Sequence, residues 1–457
     1  MNYKIDPGIE FMGLNGTLVQ VKISPLDEET DKQIHTLSRH PAFAGQRIVI
    51  MPDTHAGRGS VIGFTCKLTD KVIPAVVGVD IGCGMISFNV GKSLNRPLAD
   101  LDMMIRARVP FGFEIHPKPV LEMEKDFPWH RVNVLAEKFA AGYQGAFGVS
   151  LEPPRYSMEW LLQKCAMIND RSIIHRVLCS IGSVGGGNHF VETGIDENGD
   201  HWVTIHTGSR NLGKCICDYW QGLAAKKPRK DSKAARDETI RKIKEDFAGN
   251  GKEIYTRIKA AKSAFRQEDE AATDSEFKDL EWLEGSDAAG YLFDMIFAQT
   301  YAEVNREYIQ RAICDIMGVD PLDRIETVHN YVDFRDFIVR KGAVRSYESE
   351  RFILPFNMQV GLLICEGYSN QTWNFSAPHG AGRIMSRAQA RKKLDVENFK
   401  TKMDGIYSTS VGEITLDEAP DAYKDPVLIE HAIQPTAKIL LRVKPIHNMK
   451  DKSGSPE

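Results

Sequence analysis

Residues 74–90 read PAVVGVDIGCGMISFNV, an apolar and largely β-branched run interrupted by Gly-Val-Asp-Ile-Gly-Cys-Gly. The pattern predicts a strand that stops, turns tightly on Gly78, Gly82 and Gly84 and starts again, presenting Asp80 and Cys83 on the turn. A carboxylate and a thiol three positions apart at a strand end are what a transition-metal site needs. Chemistry is therefore expected at this turn.

From Gly16 to Asp102 the apolar runs are short, β-branched and punctuated by Gly, Pro and Asp (TLVQVKI, QRIVIMP, VIGFTCKL, AVVGVDI, MISFNV), which predicts sheet. Between Pro128 and His175 apolar residues recur at three- and four-residue spacing, as in WHRVNVLAEKFAAGY and SMEWLLQKCAMINDRSIIHRVL, which predicts helices. Strand character returns at His201–His206. The longest helical stretch runs from Asp218 to Met317, and its middle is rich in Lys and Arg. A solvated helical face and an RNA-facing surface both fit that composition, which does not decide between them. After Ile325 short strands alternate with Gly-rich turns (IETVHNYVDF, AVRSYES, RFILPF), followed by a helix near Ser386–Lys393 and a strand KILLRVKPI. With no internal repeat and no long linker, the expectation is one composite domain over residues 1–457, carrying a basic helical insert at about 218–317. The fold class expected is α+β, with mixed sheets forming a central core flanked by helices.

At 457 residues, with 42% hydrophobic and 26% charged residues, the chain can bury a large core. A net charge of −4 excludes nucleic-acid binding by bulk charge, though not by a local basic surface. The 8 cysteines include no Cys-x-x-Cys pair in a chain far longer than a disulfide-stapled miniprotein, so they are read as reduced thiols. The first residues show no cationic patch followed by an apolar stretch, and no uncharged apolar run approaches the ~20 residues of a membrane span. A cytoplasmic protein is expected.

Five places set metal-binding or proton-handling side chains beside small residues: Met51–Gly59 with Asp53 and His55; the Asp80/Cys83 turn; Gly182–Glu192 with Asn188 and His189, followed by His206-Thr207-Gly208-Ser209-Arg210; His329-Asn330-Tyr331; and Ser376–Arg383 with His379. One thiolate, one carboxylate and several imidazoles make a mixed donor set suited to Mn²⁺, Zn²⁺, Fe²⁺ or Co²⁺, whereas a Mg²⁺ or Ca²⁺ cage would be all oxygen. Structural zinc sites carry Cys pairs at short spacing, while these donors are scattered, as in catalytic centres assembled by folding. The Gly185–Gly187 run could admit a phosphate to its backbone N–H groups, although no Walker-type or dinucleotide fingerprint is present. Arg210 and Arg383, each near a His and glycines, suit either a phosphate grip or a structural carboxylate clamp.

In this order, MPDTHAGRG, VGVDIGCGM, GGGNHFVE, HTGSR, VHNY and HGAGR resemble the RtcB-type RNA ligases, or 3′-phosphate/5′-hydroxyl nucleic acid ligases, from about Arg47 to Lys450. The resemblance implies an RtcB-like fold and a two-metal Mn²⁺ site bridged by Cys83, with Asp80 and His189 completing one metal and His206 and His329 the other. It implies that His379 is the nucleophile that becomes guanylylated by GTP and that Asp53 orients it. Asn188 and Glu192 would contact GMP, Phe190 and Tyr423 would pack near the guanine, and Lys450 would hydrogen-bond it. Asn330 falls in the same nucleotide-binding group, and Arg210 and Arg383 would meet RNA or triphosphate oxygens.

The activity implied joins RNA ends bearing a 2′,3′-cyclic phosphate or 3′-phosphate to 5′-hydroxyl ends through an RNA(3′)pp(5′)G intermediate, in tRNA splicing or RNA repair. An archease-like activator is a partner the resemblance raises. One departure lies near the ligand: Phe356-Asn357 stands before Met358 where the family carries Gly-Ser. Two rival readings are a metal-dependent phosphodiesterase or phosphatase acting on nucleic-acid ends, and a non-catalytic RNA-binding protein.

Overall fold

The short β-branched runs assemble into two large sheets and a two-stranded ribbon in a computed structural model that describes residues 3–168, 173–226, 230–273 and 277–453. The first sheet has the spatial order Lys4–Met12, Leu18–Ser24, Arg47–His55, Ile62–Lys67, Ile338–Lys341, Asn330–Asp333. Its one parallel pair, Leu18–Ser24 with Arg47–His55, needs a crossover. Helix Glu28–Arg39 supplies it, started by Asp27, whose carboxylate accepts the Thr30 N–H. The second sheet is antiparallel throughout: Arg351–Asn357, Gly361–Gly367, Ala437–Met449, Phe190–Ile195, His201–Thr207, Gly84–Gly91, Asp323–Val328. Mixed sheets with helices around them are the α+β arrangement that the sequence predicts.

Two local expectations are corrected. The strand expected over residues 75–81 is instead a helical turn, Pro74–Val77, because Pro74 presets the first helical φ and Gly78, at φ +105, ends the turn. Its side chains are buried on every side, so an apolar run there carries no period that separates helix from strand. Strand Lys4–Met12 went unanticipated because Pro7 and Gly8 lie inside it. It sits at a sheet edge, and its pairing shifts register between Ile5 and Ile9 around those residues.

Within 218–317 the helices differ in role. Arg210–Lys226 and Gly285–Met317 pack into the main hydrophobic core, whereas Lys230–Asp246 and Gly251–Thr273 carry much of the basic sequence. Arg241 pairs with Glu238 and Glu245, and Arg257 with Glu253, all within one turn of helix. Residues 169–172, 227–229 and 274–276, parts of the helical stretches read from sequence, lie outside the described residues.

Helix Gly285–Met317 is 33 residues long and buried around most of its circumference, so it shows no single apolar stripe. Leu292, Phe297, Ile309 and Ile313 have no exposed surface, and each contributes about 2 kcal/mol by burial. Trp220 lies against Gly290, where a Cβ would come within 2.6 Å of the indole. Two polar residues of this helix reach the metal-turn region. Arg306 donates to the carbonyls of Gly82 (2.9 Å) and Thr207 (3.0 Å) and to Glu326 (2.8 Å). Asn305 accepts from the N–H groups of Gly182 and Ser183 and donates to Gly208 O.

Among the described residues no helix is long and apolar enough to cross a membrane. One end of the second sheet collects the functional segments. Gly84 pairs with both Thr207 and Val328, Phe190 with His206, and Met449 with Val191. Past Val328 the chain leaves this sheet and enters the first at Asn330, so His329 stands at the passage between them.

Candidate active site

Five donors converge at that sheet end. Cys83, His206 and His329 form one group whose ligand atoms lie within 4.8 Å of one another, and Asp80, Cys83 and His189 form a second, so Cys83 belongs to both. Cys83 Sγ lies 3.3 Å from His206 Nε2 and 3.5 Å from His189 Nε2. His206 Nε2 lies 3.3 Å from His329 Nε2, and His189 Nε2 lies 3.1 Å from Asp80 Oδ2. Backbone bonds fix the geometry: the His329 N–H donates to Cys83 O (2.9 Å), and the Gly342 N–H to His329 O (2.6 Å).

The other ring nitrogens decide what these atoms can do. His189 Nδ1 lies 2.9 Å from Val184 O and His206 Nδ1 3.2 Å from Asn188 O. A carbonyl only accepts, so both Nδ1 atoms carry the proton, and both Nε2 lone pairs face inward at the thiol and the carboxylate. Burial pushes the His206 and His329 imidazoles well below their ordinary value, toward the neutral form a metal requires. Burial and the nearby Asp80 push the Cys83 thiol up. For Asp80 burial works upward too, but the His189 hydrogen bond and charge bring it below the ordinary range. Asp80 Oδ1 and His329 Nδ1 are buried without a hydrogen-bond partner among the described residues. Inward lone pairs beside a carboxylate and a thiol repel one another unless cations lie between them, so the donor set fits one or two divalent ions.

His379 follows the short strand Ser376–Pro378 and lies beside this cluster, its ring centroid 4.8 Å from that of His329. Asp53 Oδ2 accepts from the His379 backbone N–H (3.1 Å) and contacts Nδ1 (2.7 Å). An ionised carboxylate there keeps the proton on Nδ1 and the Nε2 lone pair free. Asp53 is fully buried on a stretch where the ladder between strands Arg47–His55 and Ile62–Lys67 jumps from Ile50↔Phe64 to His55↔Ile62. Residues 51–54 therefore bulge, and the bulge aims Asp53 at the HGAGR loop. The loop fits closely: a Cβ on Gly382, at φ +74, would stand 2.0 Å from Asp53 O.

A cavity of about 790 Å³ opens in front of His379, within the size range of ligand pockets. Asn188, Phe190, Glu192, His206, His379, Arg383, Tyr423 and Lys450 line it, as do Phe356 and Asn357. The Lys450 ammonium bonds Glu418 (2.8 Å) and Asn188 O (3.3 Å) and lies 5.3 Å over the Phe190 ring. Asn448 donates to Glu192, whose carboxyl burial pushes up to about 8. The Arg383 guanidinium is engaged with Met385 O, Asp417 O, Glu418 and the Tyr423 hydroxyl, and stacks 5.1 Å from the Tyr423 ring.

Two residues expected to meet the nucleotide or RNA are hydrogen-bonded into the frame of the site. Asn330 donates to Asp80 O and accepts from the Gly342 N–H, bracing the metal turn. Arg210 bonds Ser183 Oγ and Gly112 O, and packs against Gly185, where a Cβ would meet its Nη1 at 1.9 Å. Arg210 and His189 thus fill the side of Gly185 that a Cβ would occupy.

Sequence reading missed Glu418, Arg387, Lys424 and Asn448. Burial alone would raise the Glu418 carboxyl, but Lys450, Arg387 and Arg383 hold it far below the usual range, so it is the anion around which these cations are arranged. Its position just ahead of Ala419-Pro420-Asp421-Ala422-Tyr423 was its only signal, and an acidic residue without flanking glycines does not stand out.

A sequence profile of the family described as tRNA-splicing ligase RtcB matches residues 33–451. The chain is 28% identical over 427 residues to the RNA-splicing ligase RtcB of Escherichia coli strain K12, covering 88% of this chain and 89% of that protein. It is 26% identical to the RNA-splicing ligase RtcB of Mycobacterium tuberculosis, over 82% and 89% of the two chains. It is 24% identical to the tRNA-splicing ligase RtcB of Aeropyrum pernix, over 87% and 86%.

Proposed function

The chain belongs to the tRNA-splicing ligase RtcB family and is an RNA ligase; from that premise we propose that it joins RNA 3′-phosphate or 2′,3′-cyclic phosphate ends to 5′-hydroxyl ends, using GTP, Mn²⁺ and a guanylylated His379. The observation that carries this reading is the placement of one imidazole. His379 is held at Nδ1 by a buried carboxylate, borders the metal-donor cluster and faces the cavity.

Asp80, Cys83 and His189 would hold one Mn²⁺, and Cys83, His206 and His329 the other. When bound, the ions supply Lewis-acid neutralisation of phosphoryl oxygens. The rest is the work of this chain's residues. Lys450 offers a donor to the guanine, Phe190 and Tyr423 give it apolar walls, and Asn188 and Glu192 reach GMP. His379 Nε2 attacks the α-phosphorus of GTP in line: a P–N bond forms, the α–β phosphoanhydride breaks and pyrophosphate leaves. Asp53 retains the Nδ1 proton and offsets the positive charge that builds on the ring. The RNA 3′-phosphate then takes GMP from His379, breaking the P–N bond, and a 5′-hydroxyl attacks the activated end and expels GMP.

We assign Arg383 to shaping the cavity wall and contacting phosphate oxygens. The physiological setting proposed is tRNA splicing or RNA repair in the cytoplasm, with an archease-like activator as a partner. Incubation with Mn²⁺ and α-labelled GTP tests the reading. Acid-labile label on the wild type and none on His379→Ala is the expected result; no label on the wild type would favour a phosphodiesterase instead.

A further inference from the structure

Lys424 is buried, lies on no part of the cavity wall, and hydrogen-bonds the backbone of both segments that carry Asp53 and His379. Its Nζ donates to Pro52 O (2.9 Å) and Thr54 O (2.6 Å), the two carbonyls that flank Asp53. Its own backbone N–H donates to Gly382 O (2.9 Å), three residues past His379. The two carbonyls lie on the bulged stretch 51–54, away from the regular ladder, so the ammonium takes the place that strand pairing holds elsewhere.

We propose that Lys424 is a positioning residue for the reaction, its charged ammonium pinning the strand on both sides of Asp53 so that the carboxylate holds His379 in a single tautomer and orientation. The proposal rests on His379 being the guanylylated nucleophile. The groups facing Lys424 are Asp27, from the cap of helix Glu28–Arg39, and Asp53 and His55, from strand Arg47–His55. Burial lowers the Lys424 ammonium to about 8 while the two carboxylates pull it back up, and burial drives His55 to about 4, so His55 is neutral. Lys424 is therefore charged below about pH 8 and loses its proton above it.

The test compares wild type with Lys424→Met in two measurements. Single-turnover guanylylation with Mn²⁺ and α-labelled GTP should fall about 100-fold in the variant, with the apparent KM for GTP changed less than threefold. In a Glu192→Gln background, which removes the other group that titrates near 8, the rate should also decline as pH rises through about 8, a limb absent once Lys424 is Met as well. In metal-free protein, nitrogen NMR of the histidines should place the His379 proton on Nδ1 alone in the wild type and on both nitrogens in the variant. Unchanged labelling together with a single His379 tautomer in Lys424→Met overturns the proposal. If that variant does not fold, Lys424→Gln, which keeps a donor for the two carbonyls without the charge, takes its place in both measurements, and the same unchanged pair of results overturns the proposal. Absence of label from the wild type itself would instead sink the assignment of His379, while the tautomer measurement still reports on Lys424.

Discussion

Asp53→Asn isolates the charge of the group behind His379 from its shape. One oxygen, Oδ2, receives both the His379 backbone N–H at 3.1 Å and Nδ1 at 2.7 Å, while Oδ1 is buried without a hydrogen-bond partner among the described residues. An asparagine that turned its NH₂ toward His379 would set a donor against a backbone N–H, which cannot change role. Its carbonyl oxygen must therefore occupy the Oδ2 position, the tautomer survives, and only the negative charge is lost. A hydrogen bond to a charged group contributes about 1.5–3 kcal/mol against about 1 for a neutral one. The ring becomes cationic as Nε2 bonds phosphorus, so a difference of about 1–2 kcal/mol falls on the transition state and slows guanylylation roughly 5- to 30-fold. Asp53→Ala releases both donors and the tautomer together, and should lose at least about 1,000-fold, as carboxylate–histidine pairs of this kind do. Single-turnover labelling of both variants from α-labelled GTP reads the contrast. Equal losses in the two variants would refute the argument from the shared oxygen, and wild-type rates in Asp53→Asn would show that the charge has no part in the step.

Arg306→Met leaves Glu326 and the Gly82 and Thr207 carbonyls without their buried partner; urea midpoints should report a loss of about 3–5 kcal/mol, and less than 1 would contradict the role given to Arg306. Glu192 has an ordinary value of 4.5 raised to about 8, so the folded state keeps a proton that the unfolded chain releases, and stability declines as pH climbs between those values. Glu192→Gln should remove that decline, its advantage over wild type growing from pH 5 to 8 by up to about 1.4 kcal/mol per unit; parallel urea curves at both pH values would count against it. Gly382→Ala drives a methyl onto the Asp53 carbonyl, a backbone atom that cannot swing aside, and should cut labelling about 100-fold in a protein that still melts cooperatively. Cys83→Ala should fold normally without metal but bind Mn²⁺ at least tenfold more weakly by calorimetry, since the thiol belongs to both donor groups; an unfolded variant would make the thiol structural.

Asp80, Cys83, His189 and His206 were legible in the sequence because each sits where a strand meets glycines, and a Cys, Asp or His there has few structural duties. The pairing of Asp53 with His379, 326 positions apart, came from family resemblance rather than from any local pattern. Glu418 and Lys424 escaped because their roles depend on which backbone and which cations fold against them, and a lone acid or base in a helical or turn segment resembles an ordinary surface charge. Helix Gly285–Met317 falls inside the helical stretch read from sequence, but its burial was hidden: a helix buried all round shows no stripe, and its neighbours in sequence are basic. The bracing bonds of Arg210 and Asn330 were not legible either, since each joins segments far apart in the chain.

His329 occupies one of the steps by which the chain passes from one large sheet to the other, and its partners Cys83 and His206 belong to segments of the second. A divalent ion seated there acts as a rivet through the seam between the layers. Filling the site should therefore raise the melting temperature of both sheets together, and prying them apart should release the ion in the same event.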